Sequence, residues 1–144
     1  DGSWTPLWFG DQDAKDERSP VYGTAMAVEY LSTSRNPLAR KLAENGLRYL
    51  LDSQNEDGGW GGAPKVASKI TLTARALSAL ASYPESDLKS MERGFDYLYG
   101  MYQSGLLFRP EPIGLYFARL WYSEELYNHT FVLNALKKLK QRIK

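Results

Sequence analysis

Gly46-Leu47-Arg48-Tyr49-Leu50-Leu51-Asp52-Ser53-Gln54-Asn55-Glu56-Asp57-Gly58-Gly59-Trp60 is the stretch that decides the fold. Its first half carries apolar residues at helical spacing; its second half is a glycine-rich turn closed by an indole. Tyr49 and Leu50 fall on the buried side of a helix end. Gln54 follows where the last helical carbonyls lack intrahelical partners, and its amide suits both backbone bonding and contact with an indole. Gly58 and Gly59 permit a tight turn, so Trp60 is expected to fold back toward Gln54. Such a clasp ties one helical hairpin to the next, a scaffolding role rather than a catalytic one.

Parts of the stretch recur on either side. Asp1-Gly2-Ser3-Trp4 matches its tail, and Arg93-Gly94-x-x-Tyr97-Leu98 matches its head before decaying through Tyr102, Gln103 and Gly105 to Phe108. The tails at Trp4, Trp60 and Phe108 lie roughly 50 residues apart, the period of a two-helix repeat. A repeat met first at its tail implies a helix left upstream, so the chain reads as part of a longer polypeptide.

Helical periodicity fills most of the remaining sequence. A first helix is predicted over Tyr22 to Leu31, rich in Ala25, Ala27 and Val28. Asn36-Pro37 reads as an N-cap followed by proline at the first helical position, opening a helix with Leu38, Leu42, Leu47 and Leu50 on one face. A third runs from about Thr71 to Tyr83 with Leu72, Ala76, Leu77 and Leu80 inward, and Pro84 stops it. Ser86 opens a fourth, carrying Leu88, Met91, Phe95 and Leu98 and ending near Gly105. After Pro112 comes a short aromatic segment, Ile113 to Tyr122, and then a final helix from Ser123 to Ile143 with Val132, Leu136, Leu139 and Ile143 inward. No run of β-alternation stands out, so the fold class is all-α.

Composition narrows the function. Eighteen basic and seventeen acidic residues nearly cancel, so no bulk charge recruits nucleic acid or anionic membrane. There is no cysteine and a single histidine, His129, which removes disulfides and thiolate metal sites; no cofactor is expected. The missing cysteine suits a cytoplasmic protein. No apolar run approaches a membrane span of about 20 residues. What remains is an aromatic load of ten Tyr, five Phe and four Trp, suited to a dense core or an apolar cavity.

The stretch from Gly46 to Trp60 resembles, at every fixed position, the glutamine–tryptophan repeat of squalene–hopene and oxidosqualene cyclases. Asp1-Gly2-Ser3-Trp4 with Trp8, Val21-Tyr22-Gly23-Thr24, Thr71-Leu72-Thr73-Ala74-Arg75-Ala76-Leu77 and Leu126-Tyr127-Asn128-His129-Thr130-Phe131 resemble the C-terminal part of the same class II triterpene cyclases, in order and over nearly the whole chain. The resemblance implies an α/α toroid of helical-hairpin repeats, here a partial barrel of about six helices with residues 1–144 as its C-terminal portion. It implies a parent isomerase that protonates squalene or a related polyprene and steers the cation through ring closures. Such a parent needs a strong acid in an apolar site and aromatic faces to stabilise cations. A membrane-peripheral position is implied for the parent alone.

The family's acid belongs to an Asp-x-Asp-Asp motif that these 144 residues do not contain. Asp11-Gln12-Asp13-Ala14 comes nearest, but Ala14 replaces the last carboxylate, and the charged loop Asp11 to Arg18 is expected to keep its carboxylates solvated. The chain alone is therefore expected to be inactive. Trp8, Tyr22 and Tyr127 match cavity aromatics in the family, with core packing an open alternative for Trp8 and Tyr22. Phe117 and Trp121 are further cavity candidates for which core packing is the simpler reading. His129, without an adjacent carboxylate, reads as a hydrogen-bonded structural residue.

The sequence departs from the family in its longer charged stretch Gly10 to Pro20, in Tyr102 at the glutamine slot of the third repeat, and in a closing Tyr-Asn-His-Thr-Phe without a following proline. A noncatalytic α/α-repeat module that holds a hydrophobic ligand or a partner helix is the alternative. A zinc-dependent prenyltransferase-like barrel fits less well, because no cysteine is present to ligate the metal. An open half-barrel exposes apolar surface, so self-association is expected.

Overall fold

The computed structural model describes residues 1–115 and 120–143. Five helices account for most of them: α1 (Pro20–Leu31), α2 (Pro37–Asp52), α3 (Ile70–Ala81), α4 (Leu88–Gln103) and α5 (Glu125–Arg142). The expected all-α bundle of helical hairpins is present, with five helices among the described residues where about six were expected. The segment after Pro112 is a strand pair rather than helix or loop. β2 (Pro112–Leu115) pairs antiparallel with both β1 (Phe9–Gly10) and β3 (Leu120–Ser123). These strands are too short, and β3 too exposed, for alternation to mark them in the sequence.

Local signals set the helix ends. Asn36 accepts from the Leu38 N–H at 2.9 Å, as expected of an N-cap before Pro37. The fourth helix is capped by Asp87 rather than opened by Ser86: the Asp87 carboxylate accepts from the Ser90 N–H at 3.0 Å. Glu111, far along the chain, caps α3 by accepting from the Ile70 and Thr71 N–H groups, both at 2.8 Å.

Helix α3 is the hub. It packs against α1, α4 and α5, and nearly its whole length is buried. Leu72, Ala76, Leu77 and Leu80 all face the core as expected, joined by Val21, Val28, Leu50, Trp60, Met91, Leu98 and Val132. The apolar faces read into the flanking helices are only half used. Leu38 and Leu42 at the start of α2, Leu88 and Phe95 on α4, and Ile143 after α5 are exposed.

The Gly46 to Trp60 turn closes on the helix end, with Trp60 bonded to Leu50 and Thr73 and Gln54 bonded to Gly58 and Ser90 rather than Trp60 lying over Gln54. The Trp60 side chain is fully buried; its indole N–H donates to the Leu50 carbonyl at 2.7 Å and its backbone N–H to Thr73 Oγ1 at 3.0 Å. Gln54 Nε2 donates to the Gly58 carbonyl at 2.8 Å and, across to α4, to the Ser90 carbonyl at 2.9 Å. Arg93 returns from α4, donating to the Asn55 carbonyl at 2.7 Å. One hairpin is thereby bolted to the next through side-chain-to-backbone bonds.

The first turn repeats this geometry. The Trp4 N–H donates to Thr24 Oγ1 at 2.9 Å, matching Trp60 and Thr73. A Cβ on Gly46 would come within 2.7 Å of the Trp4 ring, and one on Gly94 within 2.8 Å of the Trp60 ring. These helical glycines are therefore the seats on which the indoles rest. Gly2 and Gly58, at φ +87° and +86°, lie against the carbonyls of Asn45 and Arg93 so closely that no side chain fits.

Candidate functional site

Two groupings of side chains stand at the end of the bundle where the small sheet lies. The first is aromatic. Tyr22 on α1 is buried with Leu72 and Ile113, and Phe9, Tyr127 and Phe131 pack against them. Phe9 and Tyr22 meet with ring centroids 5.2 Å apart, and Tyr127 and Phe131 stack at 5.3 Å. A cation joins the two pairs: the Arg75 guanidinium lies 3.8 Å from the Phe131 ring centroid and 5.7 Å from that of Tyr22. At such distances each aromatic face contributes about 0.5–2 kcal/mol of attraction. Arg75 Nη1 also lies 4.0 Å from Glu29, which Lys138 holds at 2.7 Å.

Phenol acidity follows this packing. Burial raises the Tyr22 pKa above its ordinary value, against the opposing pull of the Arg75 charge. Hydrogen bonding with the Tyr122 hydroxyl, 3.4 Å away, pushes Tyr127 up to about 12, with burial reinforcing it. Both groups are neutral phenols at physiological pH, offering π-faces and hydroxyl dipoles rather than charge.

The second grouping is ionic and corrects an expectation. Asp11 is not a solvated loop carboxylate; it is buried, accepting from the Gly62 N–H at 2.9 Å and from Lys69 Nζ at 2.5 Å. Asp13, half-exposed, meets the same ammonium at 2.8 Å. Ala14, where the family motif would place a carboxylate, is also buried. Burial acts to lower the Lys69 pKa, but hydrogen bonds and charge from Asp11 and Asp13 outweigh it, leaving Lys69 above its ordinary value. The ion pair straps the charged loop to the start of α3. Alternating charge in a loop does not reveal a buried partner, and Lys69 lies 58 positions away.

The structure brings together two of the five cavity candidates, Tyr22 and Tyr127. Trp121 sits on the strand pair opposite Gly114, where its ring covers the glycine backbone. Trp8 is largely exposed, just before β1. Phe117 lies outside the described residues, with Tyr116, Ala118 and Arg119. His129 has the structural contacts expected of it: Nδ1 is 3.0 Å from the Glu125 carbonyl and the ring stacks on Phe108 at 4.2 Å. Arg75, Phe9 and Phe131 were not singled out from the sequence. For Arg75 a signal existed, because it is the only charged residue in the apolar run from Ile70 to Ala81.

Among the described residues no three His, Asp or Glu side chains converge as metal ligands, and no helix is long and apolar enough to cross a membrane. The arrangement is a packed aromatic cluster beside the buried Asp11–Lys69 ion pair.

The domain is a bundle of helical hairpins with an aromatic cluster beside its small sheet. Residues 2–141 match the squalene-hopene cyclase C-terminal domain, and the chain belongs to that family. It is 23% identical over 135 residues to an ent-copalyl diphosphate synthase of Streptomyces sp. (strain KO-3988), covering 94% of this chain and 23% of that protein. It is 31% identical over 85 residues to a copalyl diphosphate synthase of Streptomyces cyslabdanicus, covering 59% of this chain and 14% of the relative. The chain thus spans less than a quarter of the length of either relative.

Proposed function

We propose that the chain is the C-terminal portion of a terpene cyclase with an α/α toroid, and that it supplies one wall of the apolar cavity in which a squalene-like polyprene is folded and cyclised. The observation that carries this reading is the cluster of Phe9, Tyr22, Tyr127 and Phe131 gathered at one end of the helices in a chain of this family. Trp8, Tyr22, Phe117, Trp121 and Tyr127 are the proposed contacts with substrate. Their role is to hold the chain near its product shape and present π-faces to developing cations. The initiating acid comes from elsewhere in the parent, since these 144 residues hold no Asp-x-Asp-Asp sequence. The proposed setting is cytoplasmic, with the parent at the membrane surface.

The names of the two relatives favour a second substrate, a polyprenyl diphosphate cyclised to copalyl diphosphate. One experiment separates the readings. The protein purified from its source cells is incubated with squalene and, separately, with polyprenyl diphosphates, and products are identified by mass spectrometry. Cyclic hydrocarbon from squalene supports the first reading, and a cyclic diphosphate supports the second. Recovery of both substrates unchanged sinks the cyclase reading in favour of a noncatalytic module. With an active parent, Tyr22→Phe and Trp8→Leu should shift the product mixture more than they lower substrate consumption.

A further inference from the structure

A surface made only for hydrocarbon has no use for half-buried charge, yet one face of the helix α3 carries a strip of it. Leu77 of α3 packs at Gly94 of α4, and Arg75, Ser78 and Ser82 fall on the opposite side of the helix. On that side Lys138 of α5 reaches across α3 toward α1, donating to Glu29 Oε1 and to Ser82 Oγ, both at 2.7 Å. Asn134 donates to the same Glu29 oxygen at 3.3 Å and to Ser78 Oγ at 3.2 Å. Arg75 leans on the other oxygen of Glu29 at 4.0 Å. Two cations thus converge on one carboxylate. Glu29 Oε2 and Arg75 Nε are buried without a hydrogen-bond partner among the described residues.

The strip opens at its end into a polar pocket of about 340 Å³, where α1, α3 and α5 finish. Ser32, Ser82, Lys138, Gln141 and Arg142 line it. Arg142 adds a third cation, and its Nε is also buried without a partner among the described residues. A cation is favoured at a helix C-terminus on its own account, and Arg142, donating to the Pro84 carbonyl, serves that role in part. The same reason does not cover Lys138, whose bonds go to side chains, or Arg75, in the middle of α3. Lys138 lies two turns along α5 from Phe131, about 10 Å away. One face of the inner helices therefore joins an aromatic cluster to a cationic pocket. Those are the two surfaces that an amphiphile with an apolar tail and an anionic head would need.

We infer that this pocket seats the diphosphate head of a polyprenyl diphosphate, with Lys138 and Arg142 holding its oxygens. The polyprene tail runs along α3, past Arg75, toward Tyr22 and Tyr127. Lys138 spends two of its three N–H donors on Glu29 and Ser82, which leaves one for the head group. The planar fork of Arg142 suits paired phosphate oxygens. The inference rests on the diphosphate reading of the proposed function and gives that reading its residues. Squalene, without an anion, would leave the positive excess of the strip unanswered.

The test is calorimetric titration of the protein at its native length, at low ionic strength, with inorganic pyrophosphate, geranylgeranyl diphosphate and geranylgeraniol. Saturable binding of both diphosphates is expected, with geranylgeranyl diphosphate at least tenfold tighter than pyrophosphate or the alcohol. Lys138→Gln and Arg142→Gln should each weaken both diphosphates at least fivefold and the alcohol less than twofold. Circular dichroism verifies that both variants fold. Lys137→Gln removes an exposed charge on the same helix outside the pocket, and should change every affinity less than twofold. Equal weakening by Lys137→Gln overturns the inference, because net charge alone would then attract the anion. Absence of saturable diphosphate binding overturns it, as does binding that survives both pocket substitutions or gains nothing from the prenyl tail. A protein that cyclises squalene and ignores diphosphates keeps the cyclase reading and loses this site. One that binds diphosphates through Lys138 and Arg142 without turning them over keeps the site and loses the cyclase reading.

Discussion

Replacing Trp60 by Phe removes the indole from the centre of the clasp while keeping an aromatic ring there. The phenyl group is smaller by two carbons and the indole nitrogen, and at ~0.8 kcal/mol for each buried carbon the packing loss is about 1.6 kcal/mol. The bond from the indole N–H to the Leu50 carbonyl goes as well, a net loss of about 1 kcal/mol. That carbonyl keeps the Ser53 N–H at 3.2 Å, so it is not orphaned and the larger desolvation penalty does not apply. The expected cost is therefore about 3 kcal/mol, or roughly 10 °C in Tm for a domain of this size. Urea unfolding followed by far-ultraviolet circular dichroism measures it, and an unchanged denaturant slope shows that only stability has moved. Trp4→Phe, at a ring that is only partly buried, should cost about half as much on the same area argument. A loss under about 1 kcal/mol for Trp60→Phe would refute the reasoning, because the indole would then not be the bolt between hairpins.

Two further perturbations probe the turn and the strut. Gly58→Ala combines a positive φ with a Cβ 2.4 Å from the Arg93 carbonyl, whereas Gly105→Ala has only the positive φ. The first should cost about 3 kcal/mol and the second about 1 kcal/mol in urea unfolding, and equal costs would deny the close approach. At the buried ion pair the folded-state pKa of Lys69 is raised, so its contribution is fully present below the unfolded value near ~10.4 and is lost as pH rises through the folded one. The urea midpoint of the wild type should therefore fall more steeply above about pH 10 than that of Lys69→Met, although the raised tyrosines give both proteins some alkaline loss. Parallel curves would remove Lys69 from that role.

The helices were legible because their cues are local. Asn36-Pro37 announces α2, and the spacing of Leu72, Ala76, Leu77 and Leu80 fixes the buried face of α3. The clasp was legible because the Gly46 to Trp60 stretch repeats. Partnerships set by long-range approach were not. Nothing in Asp11-Gln12-Asp13 points to Lys69, nothing near Ile70 points to Glu111 as its cap, and a two-residue strand at Phe9 is too short to show periodicity. In the candidate site, Tyr22 and Tyr127 were picked out by resemblance. Phe9 and Phe131 join them only because β1 and α5 converge there. Arg75 lay in plain view as the single charge of a buried helix, and its meaning came from the rings on either side.

The central claim, that this chain works as the C-terminal portion of a larger cyclase, is tested most directly by the mass of the native protein. An antibody raised against the chain is used to blot an extract of its source cells. The account predicts a band several times heavier than the 16.3 kDa of these residues, consistent with relatives of which they match less than a quarter. A band at 16.3 kDa would contradict it and leave a small helical module acting alone.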